Sequence, residues 1–458
     1  MTVETVIRGG VVATVESTYR ADIGISGGTI SVIADHVDGD EVIDVDGCVV
    51  VPGAIDVHTH FDTLVGDSRT ADDYESGSRA AAFGGITSFI NYAFQGDGES
   101  LAETIQREVD KASGRSYLDH GFHPVITRVD DSVLAEFEAI RDDGFTSVKL
   151  FTAVPGFQVG DADVLAVLRR AAETGMLVNV HAEDGALIDH LTDELLRAGE
   201  TGLESLPKSR PGVAEGLATE KVAIYGGQLS CPIYFVHLSS VPALEAARRA
   251  RVRGAEIYIE TRPVYLFLDE ECYCLPQPEA QKYVAWPPLR TPDDRTALWR
   301  SLANGEIQTY ATDHTTWMLA QKTGPELDFA SIPGGVANVQ TMLGMLYSEG
   351  VRKGRISLAR MIEVTSTNPA KLFGMWPRKG TISVGADADL TVLDPEKRFT
   401  VRADAMQSAS DFDPHEGFEA VGWPTKTIVR GRLVVADGEL KVEPGHGALV
   451  RRGRYNRP

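Results

Sequence analysis

Short apolar runs dominate this chain, and their spacing changes twice along it. Over residues 1–50 the runs are brief, β-branched and broken by turns: VIRGGVVAT, DIGISGGTISVIA and EVIDVDGCVV. This pattern reads as strands, with the Gly-Gly pairs at 9–10 and 27–28 as hairpin-type turns. The same pattern returns late in the chain, in ADADLTVLDP and TKTIVRGRLVVADGEL. A closing basic tail, RRGRYNRP, reads as a packing or docking arm rather than as part of a core.

The middle of the chain differs. Eight short apolar segments, AIDVHTH, ITSFINYA, HGFHPVI, SVKLF, LVNVHAE, IYFVHLS, AEIYIET and IQTYATD, suit strands buried on both faces. Helical patterns such as ADVLAVLRRAAETG and VPALEAARRARVRG lie between several of them. Strand followed by helix points to a parallel sheet covered by helices, and eight such strands predict a (β/α)8 TIM barrel. A doubly wound open sheet is the competing layout, but the chain has neither G-x-G-x-x-G nor G-x-x-x-x-G-K-[ST]. The two β-rich ends predict one small β-sandwich domain formed by residues 1–50 and 378–458, attached to a barrel domain of residues 51–377. No internal repeat or low-complexity segment complicates this division.

Composition agrees with a large core: 458 residues, 43% hydrophobic and 24% charged, with 45 glycines and 22 prolines spread along the chain. That excludes a disordered, collagenous or disulfide-framework protein. The net charge of −22 makes phosphate backbones and anionic lipid surfaces poor partners, so neither nucleic acid nor membrane is expected. MTVETVIRGG lacks the basic and apolar regions of a secretory signal, and no run approaches ~20 apolar residues. Cys48, Cys231, Cys272 and Cys274 show no C-x-x-C spacing and read as free thiols. A cytoplasmic location is the resulting expectation.

The candidate chemistry lies in where polar residues interrupt these apolar strands. His58 and His60 end the first strand at positions i and i+2, which share a face. Lys149 sits inside SVKLF, where an ammonium carries a large desolvation cost unless neutralised or paired. His181, His237 and Asp313 each end a later strand. Singly, each has an ordinary structural reading: a strand-end histidine satisfying hydrogen bonds, an aspartate capping the next helix. Together, six groups from five strands would meet at the rim where barrel active sites are built. The remaining histidines (His36, His120, His123, His190, His314, His415 and His446) read as structural, with His123 and His314 nearest the site. Four imidazoles plus carboxylate oxygen suit Zn²⁺ or another borderline divalent ion, and the number of ligands suits two such ions. A neutral Lys149 amine that took up CO₂ as a carbamate would become an anionic bridge between them.

With these residues in place, the sequence resembles the amidohydrolase superfamily, and within it the hydantoinase/dihydropyrimidinase group of cyclic amidases. The matching strings are VVPGAIDVHTHFD, SVKLF, VNVHAEDG, YFVHLSS, IETRPVYLFLDEE, KYVAWPPLR, ATDH, TSTNPAKLFG and KGTISVGADADLTVLDP. The resemblance implies that His58, His60 and Asp313 bind the more buried metal, His181 and His237 the more exposed one, and carboxylated Lys149 both. It implies a bridging hydroxide that attacks a ring amide carbonyl, with Asp313 as base and then acid. A small cyclic amide substrate and a homotetramer are implied as well.

Three positions depart from that group's usual pattern. Val154 stands at or near the place of a tyrosine that steadies the developing oxyanion. Trp286 replaces the serine before Pro-Pro, and Gly334 the asparagine of an I-P-N-G string. Leu64, Phe94 and Phe157 fall on loops that shape the exocyclic pocket in related enzymes, and Leu64 and Phe157 are the specificity candidates among them. The expected activity is therefore hydrolysis of a cyclic amide or imide, more securely than of a hydantoin or dihydropyrimidine in particular. An allantoinase, dihydroorotase or imide hydrolase is the alternative within hydrolases, although no arginine is assignable to a substrate carboxylate or ureido group. A non-catalytic scaffold of the same fold is a further alternative, disfavoured because all six positions are retained.

Overall fold

All eight apolar segments of the middle region form strands of one parallel sheet. In the computed structural model, which describes residues 2–66, 68–324 and 326–458, they are β1 (Ala54–Thr59), β2 (Ile86–Phe94), β3 (Asp119–Val125), β4 (Ser147–Phe151), β5 (Leu177–His181), β6 (Ile233–Phe235), β7 (Ile257–Thr261) and β8 (Thr309–Tyr310). They lie in sequence order, each hydrogen-bonded to the next. The sheet closes where Thr59 bridges His314 and the His60 N–H donates to the His314 carbonyl at 2.9 Å. A buried Asp56 carboxylate adds to the seam by accepting from the Thr312 N–H at 3.1 Å. Every residue of β4 and of β5 is buried, as a sheet covered on both faces requires.

Helices fill the connections. Asp161–Thr174 follows β4 and stops at Gly175, whose φ of 71° closes the helix in the left-handed region. Val241–Val252 follows β6 with proline in its first turn, where a missing N–H costs nothing.

The two ends of the chain make a pair of smaller sheets. Val3–Arg8, Asp22–Ser26, Thr29–Ala34 and Gly39–Asp44 form one of four strands. The other has seven strands and joins N-terminal to C-terminal segments: Val49–Pro52 runs parallel to Val11–Ala13 and antiparallel to Leu390–Thr400. Ile7, Ile23, Ile25, Val50, Leu390 and Val392 share one apolar cluster, so both ends contribute to it.

Two local expectations need refinement. Gly27 and Gly28, with φ of 59° and 79°, do turn a hairpin between Asp22–Ser26 and Thr29–Ala34. Gly9 and Gly10 do not, because the strands flanking them belong to different sheets. The chain crosses between layers there, and a Cβ on Gly10 would lie 2.8 Å from the side chains of Val45 and Val50. The basic tail has no regular structure and packs as an arm, yet its Arg452 is buried and reaches the barrel strands. Val450 joins an apolar cluster with Ile55, Val57 and Leu177, and buried Arg452 donates to Ser147 Oγ at 3.0 Å and to the Phe122 carbonyl at 2.7 Å. It stoppers the end of the barrel where the strands begin. Among the described residues no helix is long and apolar enough to cross a membrane.

Candidate active site

At the opposite end, where the strands finish, lies a cleft. His58, His60, Lys149, His181, His237 and Asp313 all line it. Strand order explains the gathering: parallel strands end on one rim, and each of these residues closes or nearly closes its segment. His237 and Asp313 carry left-handed backbones, φ 41° and 50°, which is uncommon for residues with a side chain and turns each sharply at its strand end.

The ring nitrogens converge in pairs. His58 Nε2 lies 3.3 Å from His60 Nε2, and Asp313 Oδ1 is 3.0 Å from the first and 3.2 Å from the second. His181 Nδ1 lies 3.0 Å from His237 Nε2. Partners outside the cleft fix two of the imidazoles. His58 Nδ1 is 2.7 Å from Glu260 Oε1, and the same carboxylate accepts from the Tyr234 hydroxyl at 2.8 Å and the His237 N–H at 2.9 Å. His181 Nε2 is 2.8 Å from Glu183 Oε2, which also pairs with Arg210 at 2.5 Å. Arg262, fully buried, pairs with Asp313 Oδ2 and donates to the Pro287 carbonyl at 3.0 Å.

Burial controls the protonation of these groups. It holds His60 down at about 4 and His181 and His237 below the usual histidine range, so these three imidazoles are neutral near pH 7. Burial also opposes charge on His58, but Glu260 and Asp313 more than offset it and raise its pKa. For Asp313 burial alone would favour the neutral acid; His58 and Arg262 reverse that and keep it a carboxylate. Lys149 is the extreme case. It is completely buried, its Nζ has no hydrogen-bond partner, and it sits 4.8 Å from the ring centroids of both Tyr92 and Phe151. Burial brings its amine down to about 7, against the opposing pull of Glu260 and Asp313.

Such a donor set fits divalent metal. Three neutral imidazoles, a fourth on His58 that would give up its proton to a metal, and a carboxylate, converging in pairs, are what Zn²⁺ and its neighbours take. His58, His60 and Asp313 present ligand atoms within 4.8 Å of one another. The unpartnered Lys149 Nζ is a buried polar atom that its protein surroundings leave unsatisfied, beside these donors in the same cleft. Each fixed imidazole has the outer hydrogen bond that a metal-binding histidine uses to hold its tautomer.

The substrate side is mostly apolar. Val154, Phe157, Trp286 and Gly334 line the cleft together with Phe94 and Phe151. Val154 has a φ of 88°, a strained value for a β-branched residue, and supplies no polar side chain. Leu64 does not line the cleft: it is 54% exposed in a two-residue strand, and its neighbour Val65 faces inward instead, as alternation along a strand requires. His123 and His314 are satisfied by protein groups. His123 lies 2.6 Å from Ser147 Oγ, and His314 lies 2.9 Å from Asp72 while accepting from the Asn338 N–H. Reading the sequence missed Glu260, Glu183, Arg210 and Arg262. Glu260 carried the same signal as Lys149, an ionisable group inside an apolar strand, and Glu183 follows His181 at i+2.

Comparison with known proteins agrees with this geometry. The amidohydrolase family model matches residues 49–434. D-hydantoinase from Geobacillus stearothermophilus is 40% identical over 98% of this chain and 96% of its own length. D-phenylhydantoinase from Escherichia coli O1:K1 / APEC is 34% identical over 99% of each chain. Among solved structures, the dihydropyrimidinase from Brevibacillus agri NCHU1002 superposes with a TM-score of 0.97 at 38% identity, covering 99% of this chain and 100% of that one. L-hydantoinase from Arthrobacter aurescens gives 0.91 at 28% identity, covering 98% and 100%. Metal-seeking side chains on the rim of an eight-stranded barrel, and likeness over nearly the whole length, lead to one assignment: this chain belongs to the amidohydrolase family.

Proposed function

We propose that the protein is a dinuclear metal-dependent hydrolase that opens a cyclic amide or imide ring of hydantoin or dihydropyrimidine type. The observation that carries this reading is the meeting of four imidazoles, a carboxylate and an unpartnered buried lysine in one apolar cleft. His58, His60 and Asp313 would hold one divalent ion, His181 and His237 the other, and Lys149, carboxylated by CO₂, would reach both; zinc suits these donors. Bound there, the ions would polarise the ring carbonyl and make water a nucleophile near neutral pH.

The protein's own groups account for the rest. Asp313 is the catalytic base: its carboxylate accepts the proton of the attacking water, then delivers it to the ring nitrogen as the C–N bond breaks. Water's oxygen stays on the carbonyl carbon, and the product is an N-carbamoyl amino acid or a similar ring-opened acid. Arg262 holds Asp313 Oδ2, which leaves Oδ1 turned toward His58 and His60. Glu260 and Glu183 orient His58 and His181. Phe94, Phe151 and Phe157 shed water from around the ring, which strengthens every charge interaction inside the cleft. Arg262 uses both terminal nitrogens on Asp313, Tyr265 and Pro287, so it has no free fork with which to grip a substrate carboxylate, which counts against dihydroorotate-like substrates.

A homo-oligomer, tetrameric as the resemblance implies, belongs to the same reading. Val213, Leu217 and Ile224, exposed along one helix at helical spacing, support association. Four unpaired cysteines suit a reducing, cytoplasmic compartment. The test is turnover of hydantoin, dihydrouracil, allantoin, dihydroorotate and succinimide alongside metal analysis. Ring opening of hydantoin or dihydrouracil that a chelator abolishes and zinc restores is expected. Fewer than two ions per chain together with no turnover would overturn the reading.

A further inference from the structure

Trp286 and Gly334 pack against each other in the cleft wall, and residue 334 has no room for a side chain while the indole stays in place. A Cβ on residue 334 would lie 2.9 Å from Cδ2 of the indole, 3.0 Å from Cγ and 3.3 Å from Cε2. Gly334 is not there for its backbone: its φ lies outside the left-handed region, unlike that of Gly335 at 130°. Nor can that backbone retreat. The Gly334 carbonyl accepts from Trp317 Nε1 at 3.0 Å, and the Gly335 N–H donates to the Val284 carbonyl at 3.0 Å. The indole is braced on another side by the Arg210 guanidinium, 5.1 Å from its ring centroid. Arg210 is itself anchored on Glu183, the carboxylate that orients His181.

We infer that Trp286 is a specificity-determining residue: a fixed apolar wall, seated against Gly334 and held by Arg210, that selects neutral rings presenting an apolar edge to it. This rests on the cyclic-amide reading above. A polar or charged substituent directed at the face of the indole would lose its water without gaining a partner, since the ring's single donor lies at its Nε1 edge and Arg210 is ion-paired to Glu183. The same wall ties substrate choice to the metal-facing histidine through an unbroken run of contacts, from indole to guanidinium to carboxylate to imidazole.

The experiment is a double-mutant cycle on the metal-loaded enzyme with two readouts. In thermal unfolding, G334A is expected to lower Tm by several degrees with Trp286 present and to be nearly silent in the W286S background. In turnover, W286S is expected to raise kcat/KM for allantoin and dihydroorotate relative to dihydrouracil by about tenfold, a change typical of rebuilding one wall of an apolar pocket. W286F, which keeps an apolar wall, is expected to retain the wild-type ratio and guards against misfolding of W286S. Equal effects of G334A in both backgrounds would overturn the packing claim. An unchanged ratio in an active W286S enzyme would overturn the specificity claim alone. A wild-type enzyme that opens none of the rings would overturn the cyclic-amide reading, and the specificity claim with it.

Discussion

Lys149 concentrates the chemistry of this molecule in one side chain. A buried amine with no partner, brought to about 7, is neutral over part of the physiological range and free to take up CO₂. Lys149→Ala is therefore expected to purify with less than half the metal of the wild type, with partial recovery of metal and turnover when short carboxylic acids are supplied. Metal analysis and kinetics with and without acetate or propionate check this; wild-type rates without any supplement would contradict it. Asp313→Asn, by contrast, loses the base, so turnover should fall at least ~10³-fold while circular dichroism still shows a folded barrel; Tm should drop as well, because buried Arg262 loses its counter-ion. The six rim residues were legible in the sequence as a set, because ionisable groups recur at or near the ends of successive apolar strands, although each alone has an ordinary structural reading. Arg262, Arg210 and Glu183 were not, since they lie in loops or beyond the strands, where charge is ordinary. Their roles come from distances that no local pattern encodes.

Eight strands were legible for the same reason: runs buried on both faces read as continuous apolar segments. The crossing at Gly9 and Gly10 was not, because a glycine pair marks a turn without saying which sheet receives the next strand. One strand holds much of the site together. From β7, Glu260 braces His58 and also binds the backbone of His237, joining residues proposed to serve different ions. Glu260→Gln leaves the fold's shape but removes the anion facing His58 Nδ1. Metal affinity should then drop ~10–100-fold in competition with a chelator, as for other outer partners of metal-binding histidines. An unchanged affinity would mean that the strand's packing alone orients the ring.

Across the whole molecule, the C-terminal segment reaches back to steady the rim. His415 Nε2 lies 3.3 Å from Asn338 Oδ1, and Asn338 donates to the Thr312 carbonyl beside Asp313 at 3.1 Å. Burial lowers the His415 pKa to about 3, from an ordinary 6.5. The unfolded chain therefore binds a proton there that the folded chain refuses, and stability is lost as pH falls from about 6.5 towards 3. Between pH 7 and pH 5 this group should cost about 2 kcal/mol, so His415→Gln should close on the wild type by that amount in denaturant titrations at pH 5. A gap that is constant with pH would show that the imidazole already titrates freely. The joined sheet has a consequence for biosynthesis. Val50 pairs with Val392, so a strand made early stands without this neighbour until roughly 340 further residues have been made. At ~5–20 residues per second that wait lasts on the order of tens of seconds, with an unpaired valine-rich edge open to aggregation. Yield in a recombinant host should accordingly depend on chaperone supply and growth temperature more than on the intrinsic stability of the finished enzyme.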